Sequence, residues 1–333
     1  GQMMKWLKGN WFYLLVLIVA LLAPLIITNR YYSQVITMSL LFAIAALSLN
    51  LILGYTGQLT LAHGGFFALG AYSVAIMTYT LGWNFWLALP LGASFAAFIG
   101  FLVGMPTLRA RGSYFAIATL CLGEIIYLIA GNWIEVTGGH NGIVGIPPPS
   151  PIPIPGLGTL SFESQASQYY MVLFFLLLTL FVMYRIRESM RGRTFMAVLC
   201  NEDLAESVGI NTFRTKLLSF VVANFFAGLA GGIYASLLGS ISPSVATVGL
   251  TFNFLMYVLL GGVGTLAGPI IGAFFLPILL EYMQFLQDYQ MILFGVLLII
   301  VIIYFSTGFM GLYKKITEKI KKSKVGAQSA AKR

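Results

Sequence analysis

Charge is what this sequence has least of. Only 9% of its 333 residues are Asp, Glu, Lys or Arg, against about a quarter in an ordinary soluble domain. A soluble fold of this length could not hide the 59% of the chain that is hydrophobic, so hydrocarbon is expected to be the solvent for most of it. Cysteine is also scarce. Cys121 and Cys200 are too few for a disulfide framework or a thiolate metal cluster, and Cys121, inside an apolar run, reads as a small core residue. Catalytic signatures are missing as well. No G-x-x-x-x-G-K-[ST] phosphate loop occurs, and GGVGTLAG at Gly261–Gly268 has glycines without the Lys-Ser/Thr that should follow. ATP hydrolysis of the usual kind is thereby excluded. HExxH, GxSxG and paired Cys-x-x-Cys do not occur either, so neither an enzyme nor a metal site is expected, and no cofactor in this chain.

What the sequence has in quantity is long apolar runs. A helix needs about 20 residues to cross hydrocarbon. The candidates are Trp11–Thr28, Gln34–Leu53, Leu59–Leu81, Phe85–Met105, Ser113–Trp133, Tyr169–Tyr184, Lys216–Leu238, Val248–Leu260, Leu266–Phe285 and Gln290–Phe309. The expected fold is an all-α polytopic transmembrane bundle of about 10 spans, the eighth short enough to be broken or re-entrant. The leading Gly1-Gln2 resembles a tag scar. The first run follows Lys5 and Lys8 but lacks a small-x-small cleavage site, so it is expected to stay as a helix.

The few charges are placed in a pattern. With an even number of spans, both termini lie on one side. Lys5, Lys8, Arg109, Arg111, the six basic residues from Arg185 to Lys216 and the eight from Lys314 to Arg333 then share it, 18 of the 19 Lys and Arg, with Arg30 the exception. The positive-inside rule makes that side, and both termini, cytoplasmic. A net charge of +9 could suggest nucleic-acid binding, but these charges sit at helix ends and not on one patch, so no nucleic acid is expected. The basic tail, residues 314–333, is expected to lie against anionic headgroups. An outer loop, residues 134–168, contains no Lys or Arg, and its six prolines from Pro147 to Pro155 make it stiff and extended.

The cytoplasmic loop, residues 185–215, carries both signs of charge. Within it Asn201 is a good helix N-cap, Glu202 and Asp203 suit the positive end of a helix, and Gly209 suits its C-terminal cap. A helix of about two turns follows, either a plain surface link or a docking knob for a soluble partner.

At this loop the sequence resembles a known family. Glu202, Ala205 and Gly209 follow the Glu-x-x-Ala-x-x-x-Gly pattern of the coupling loop in ABC importer permeases. Further blocks are similar to the branched-chain amino acid permease family, LivM-type: LSLNLILGYTGQLTLAHGGFFALGAY from Leu47, RGSYFAIATLCLGEII from Arg111, TGGHNGIVGIP from Thr137, GINTFRTKLLSFVVANFFAGLAGGIYA from Gly209 and LLGGVGTLAGPIIGA from Leu259. The hydrophobic-Pro ending of some coupling loops is absent. The resemblance implies a single permease domain over residues 1–333 in a bacterial-type inner membrane. It also implies a second, paralogous permease subunit, ATPase subunits that hold ATP and Mg, an extracytoplasmic substrate-binding protein, and an apolar amino acid as cargo. Coupling to the ATPase would fall on Glu202, Asp203, Ala205, Glu206, Gly209 and Asn211.

Candidates for the pathway come from the residues themselves. Leu53–Leu59 and Leu260–Leu266 share the pattern Leu-Gly-x-x-Gly-x-Leu at an offset of 207 residues, a faint internal repeat of the kind that marks corresponding broken helices. Gly54, Gly57, Gln58, Gly261 and Gly264 would then lie at mid-membrane breaks; tight turns at the cytoplasmic surface remain the other reading. Glu124 falls mid-span, where an acid is a functional candidate by default. Asn50, His63, Asn224 and Asn253 are polar candidates whose plainer role is packing. Gly100-x-x-x-Gly104, Gly228-x-x-x-Gly232 and Gly264-x-x-x-Gly268-x-x-x-Gly272 allow close helix approach, within the chain or at a subunit seam. Three other readings stay open: the same architecture with a different amino acid, urea or amide, or sugar as cargo; an ion-coupled secondary transporter with Glu124 as proton carrier; and a membrane scaffold.

Overall fold

The computed structural model describes residues 2–156, 158–282, 284–304 and 308–330; Gly1 of the leading dipeptide and the last residues of the basic tail, 331–333, lie outside them. Fourteen α-helices occur among the described residues: α1 (Gln2–Ile26), α2 (Arg30–Leu53), α3 (His63–Ala75), α4 (Phe85–Thr107), α5 (Ser113–Asn132), α6 (Ile134–Thr137), α7 (Gln165–Glu188), α8 (Met190–Cys200), α9 (Glu202–Ser207), α10 (Thr212–Leu238), α11 (Val248–Gly261), α12 (Gly268–Tyr282), α13 (Gln290–Tyr304) and α14 (Gly308–Ala330). Strand is confined to β1 (Ile143–Val144) paired antiparallel with β4 (Ser240–Ile241), and β2 (Ile152–Ile154) paired antiparallel with β3 (Gly158–Leu160). Helices α2, α4, α5, α7 and α10 are long and apolar enough to cross a membrane, and Tyr13–Ile26, Val248–Gly261, Gly268–Tyr282 and Met291–Val301 are shorter apolar helical segments.

The helix starts are written in the sequence. Asn29, Asn84 and Ser164 each stand just before a long helix and accept a hydrogen bond from a free backbone N–H, at Tyr31, Trp86 and Ser167, as N-caps do. One expected span is corrected: the run Leu59–Leu81 is not one helix. Residues 58–62 are non-helical, α3 begins at His63, and its continuation Ile76–Thr80 is a π-helix. Apolar composition marked where the chain is buried but not where its helix begins.

The core is built on α2, α3 and α10. From Leu40 to Ile52 α2 is buried except at Phe42, and glycines let α10 come against its neighbours backbone to backbone. Gly228 faces Gly70 of α3, Gly231 faces the Phe67 carbonyl, and a Cβ on Gly231 would overlap it. On α4, Gly100 meets Asn224 and Gly104 meets Leu217 and Phe220 of α10. Gly268 and Gly272 pack on the backbone of α11. All three small-x-x-x-small patterns therefore serve packing within the chain.

The bundle has two distinct ends. At one, the proline-rich loop is docked by its carbonyls and one hydroxyl, since proline has no N–H to offer. Ser150 Oγ accepts from the Phe85 N–H at 3.1 Å, Trp86 Nε1 donates to the Ser150 carbonyl at 2.7 Å, and Ser236 Oγ donates to the Pro147 carbonyl at 3.0 Å. At the other end stand α8, α9 and the α4–α5 turn with Arg111. Cys121, expected in the core, is instead exposed on α5: only a third of the apolar window of α5 is buried, and apolar sequence does not tell a helix's inner face from its outer one in lipid.

Candidate functional site at the α8–α9 end

Helix α9 forms where its caps demand. Asn201 Oδ1 accepts from the Leu204 N–H at 3.1 Å. At the far end Gly209 has φ +89°, and the Ile210 N–H returns to the Ala205 carbonyl at 3.1 Å, the closing bond that a left-handed residue after a helix allows. Asn211 then caps α10 by accepting from the Arg214 N–H at 3.1 Å. Ala205 is buried. Gly209, Asn211 and Ala205 thus shape and seat the loop.

The carboxylates of α9 turn toward the rest of the chain. Glu202 Oε1 lies 2.7 Å from Lys216 Nζ of α10 and 3.6 Å from Arg111 Nε. Asp203 Oδ1 is 2.9 Å from Arg111 Nη1, and Glu206 Oε1 is 3.1 Å from Nη2. Thr212 Oγ1 also donates to Glu206 Oε1 at 2.8 Å. The hydrogen bond to Asp203, then the nearby charges of Glu202, Glu206 and Asp203, hold the Arg111 guanidinium even more firmly protonated than usual. Beside the exposed Asp203, α9 and its C-cap also leave two apolar side chains outward, Leu204, 63% exposed, and Val208, 71%. Sequence reasoning missed these two residues, and missed Arg111 and Lys216 as partners of the loop. It also missed α8, although Ser189, whose Oγ accepts from the Gly192 N–H, was a legible cap.

The two glycine turns of the internal repeat meet each other. Gly57 and Gly264, at corresponding positions, have φ +75° and +79°. Gly54 packs on the backbone of Gly264 with no room for a side chain. Asn50 ties the second turn to α2: its Oδ1 accepts from the Gly264 N–H at 2.9 Å and its Nδ2 donates to the Thr265 carbonyl at 3.0 Å. Gly57 lies against Leu199 of α8, so the first turn sits at the α8–α9 end. From there residues 58–62 climb without helical bonds. The Leu61 N–H finds Thr119 Oγ1 of α5 at 2.9 Å, and the Gly64 N–H finds Thr251 Oγ1 of α11 at 2.8 Å. Irregular backbone is thus covered by side-chain hydroxyls, as an apolar surrounding requires.

The remaining candidates separate. His63 is fully buried, with Nε2 2.8 Å from Ser48 Oγ and 3.0 Å from the Ala45 carbonyl, the packing role. Asn224 is buried against Gly100 with no hydrogen bond at its amide, and Gln58 Oε1 is likewise buried and unpaired. Asn253 is half-buried, and Gly261 is closed in by Gly268. Glu124 is exposed on α5, 11 residues past Ser113. No metal-binding cluster of His, Cys, Asp or Glu occurs among the described residues.

Fold and site together define a multi-pass membrane protein of the permease class. Residues 31–302 match the family model described as "Branched-chain amino acid transport system / permease component". The chain is 33% identical over 326 residues to the high-affinity branched-chain amino acid transport system permease protein LivM of Salmonella typhimurium, and equally to that of Escherichia coli, covering 91% of this chain and 75% of each relative. It is 27% identical over 302 residues to the LivH permease protein of E. coli (83% of this chain, 93% of the relative), and 29% identical over 275 residues to the autoinducer 2 import system permease protein LsrC of an Enterobacter species (78% and 75%). No solved structure matches the chain. The chain belongs to the branched-chain amino acid transport permease family.

Proposed function

We propose that this chain is one of two permease subunits of an ATP-driven importer for branched-chain amino acids, with α9 as the contact for a separate ATPase subunit that holds ATP and Mg. The observation that carries this reading is α9 itself: a capped helix between α8 and α10, held by its carboxylates to its own chain, with Leu204 and Val208 turned out. Exposed apolar side chains at i and i+4 form one stripe, and covering each stabilises a complex by roughly 1.5–3 kcal/mol. The carboxylates of α9 anchor it to its own chain, and the exposed Asp203 and Glu206 flank the apolar pair in the docking surface. Relatives named LivM and LivH support a paired permease, with a substrate-binding protein delivering cargo to the proline-loop end. That end faces outward and the α9 end, with its basic residues, faces the cytoplasm of a bacterial-type inner membrane, which puts both termini inside. Glu124 cannot rest in lipid at low cost; on the open face of α5 it meets the route between the two permeases, where a substrate ammonium is its natural partner.

The test is Leu204→Asp with Val208→Asp. The variant is expected to insert normally while ATPase subunits no longer co-purify with it; retention of those subunits at wild-type yield would overturn the docking assignment. The LsrC relative favours a second reading, the same machine with another cargo, and binding measurements on the cognate substrate-binding protein separate the two.

A further inference from the structure

We propose that Arg111 is the positioning residue that carries movement of α9 into α5; this rests on α9 being the ATPase contact. Three nitrogens of one guanidinium engage three carboxylates of one short helix, at residues 202, 203 and 206. Arginine offers its donors in a rigid planar fork, so the grip is distributed along α9 and resists rotation as well as separation. A lysine ammonium would supply a point charge only. Arg111 stands two residues before α5, and between them Gly112 has φ +59°. A side chain there is strained whatever the space, so this backbone turn is written for glycine. The turn aims residue 111 back at α9 while the chain continues into α5.

The second tie of α9 is of a different kind. Lys216 of α10 has a side chain only 4% exposed and holds Glu202 at 2.7 Å. Its helix lies in the middle of the bundle, backbone against backbone with α3. The Arg111 side chain is 52% exposed, and α5 is the least buried of the five long apolar helices. One tie therefore joins α9 to a helix the core holds still, and the other joins it to a helix with an open face. When α9 is displaced, α10 resists and α5 is free to follow. The face of α5 that moves is the one bearing Glu124, so the link runs from the ATPase contact to the mid-membrane acid through one helix.

The experiment uses the assembled complex of this chain with its paired permease, ATPase subunits and substrate-binding protein in proteoliposomes, and reads leucine taken up per ATP hydrolysed. Arg111→Ala is expected to lower that ratio at least about fivefold, the scale of a lost coupling between two sites. Arg111→Lys is expected to restore it only in part. The reversed set, Arg111→Glu with Asp203→Arg and Glu206→Arg, is expected to recover more than half of the wild-type ratio. It also carries the test should Arg111→Ala fail to assemble. A wild-type ratio in Arg111→Ala, or no recovery in a normally assembled reversed set, overturns the role of Arg111. If the wild-type complex itself shows no ATP-driven uptake, the importer reading fails instead. Thermal stability of the same variants distinguishes a structural role: Lys216→Ala is expected to lower it, whereas Arg111→Ala changes the ratio with little loss of stability.

Discussion

Asn50 shows how a residue's type and its use come apart. A lone asparagine in an apolar run is a fair candidate for a pathway, yet here both ends of its amide are spent on the Gly264 and Thr265 backbone. The partner lies more than 200 residues away, and nothing local in the sequence reveals it. Asn50→Leu would leave the half-buried Gly264 N–H and Thr265 C=O without their partner, at a cost of about 2 kcal/mol. The expected outcome is a lower thermal midpoint for detergent-purified protein by intrinsic fluorescence; an unchanged midpoint would show that the turn does not depend on Asn50. His63 follows the same logic, with Ser48 and Ala45 as partners. Asn201 is the opposite case: cap, first-turn acids and closing glycine lie within nine residues, and that locality is why α9 could be read before its surroundings were known.

At the scale of elements, α1 poses a problem that α7 answers. Pro24 lies inside α1 and has no N–H for the carbonyl four residues back, that of Ala20. An orphaned carbonyl in an apolar surrounding is costly. Tyr169 Oη donates to the Ala20 carbonyl at 2.6 Å, and Tyr170 Oη donates to that of Leu21 at the same distance. Most of α1 from Tyr13 onward is exposed in the single chain, and these two bonds add to the packing of Ala20 and Ala23 on the core. Tyr169→Phe with Tyr170→Phe is expected to cost about 1 kcal/mol per bond and to speed amide exchange in Tyr13–Ile26. Exchange rates equal to wild type would mean that α1 is held by something else. The proline was visible in the sequence; the two hydroxyls that answer it were not, because tyrosines near a helix start also suit a membrane interface.

For the molecule as a whole, the repeat and the charge pattern converge. Arg111 of the α4–α5 turn and Lys216 of α10 gather with the first glycine turn at the α8–α9 end, while the proline-rich loop without Lys or Arg folds over the other. Where the two repeat turns touch, Gly54 and Gly264 give each other room, while Gly57 lies against Leu199 and Gly261 against Gly268. On the proposed reading, a second permease subunit completes the open face of α5 with its mid-helix acid. The isolated chain in liposomes is therefore expected to accumulate no leucine under a pH gradient, whereas the assembled complex does so when ATP is supplied. Accumulation by the isolated chain would favour the ion-coupled reading, with Glu124 as the proton carrier.

Membrane class, all-helical architecture and the position of the α9 helix were determined by the sequence alone, because hydropathy, charge segregation and helix caps are properties of neighbouring residues. Which polar groups remain available was decided only by the tertiary structure. Glu202 looked free to meet a partner until Lys216 and Arg111 were brought against it, while Asp203 and Glu206 keep exposed faces beside Arg111. Asn50 and His63 looked available until distant backbone and hydroxyl groups occupied them. The reason is that an apolar surrounding rewards a partner for each buried polar group, and the fold chooses that partner from anywhere in the chain, or, as at Asn224 and Gln58 Oε1, supplies none.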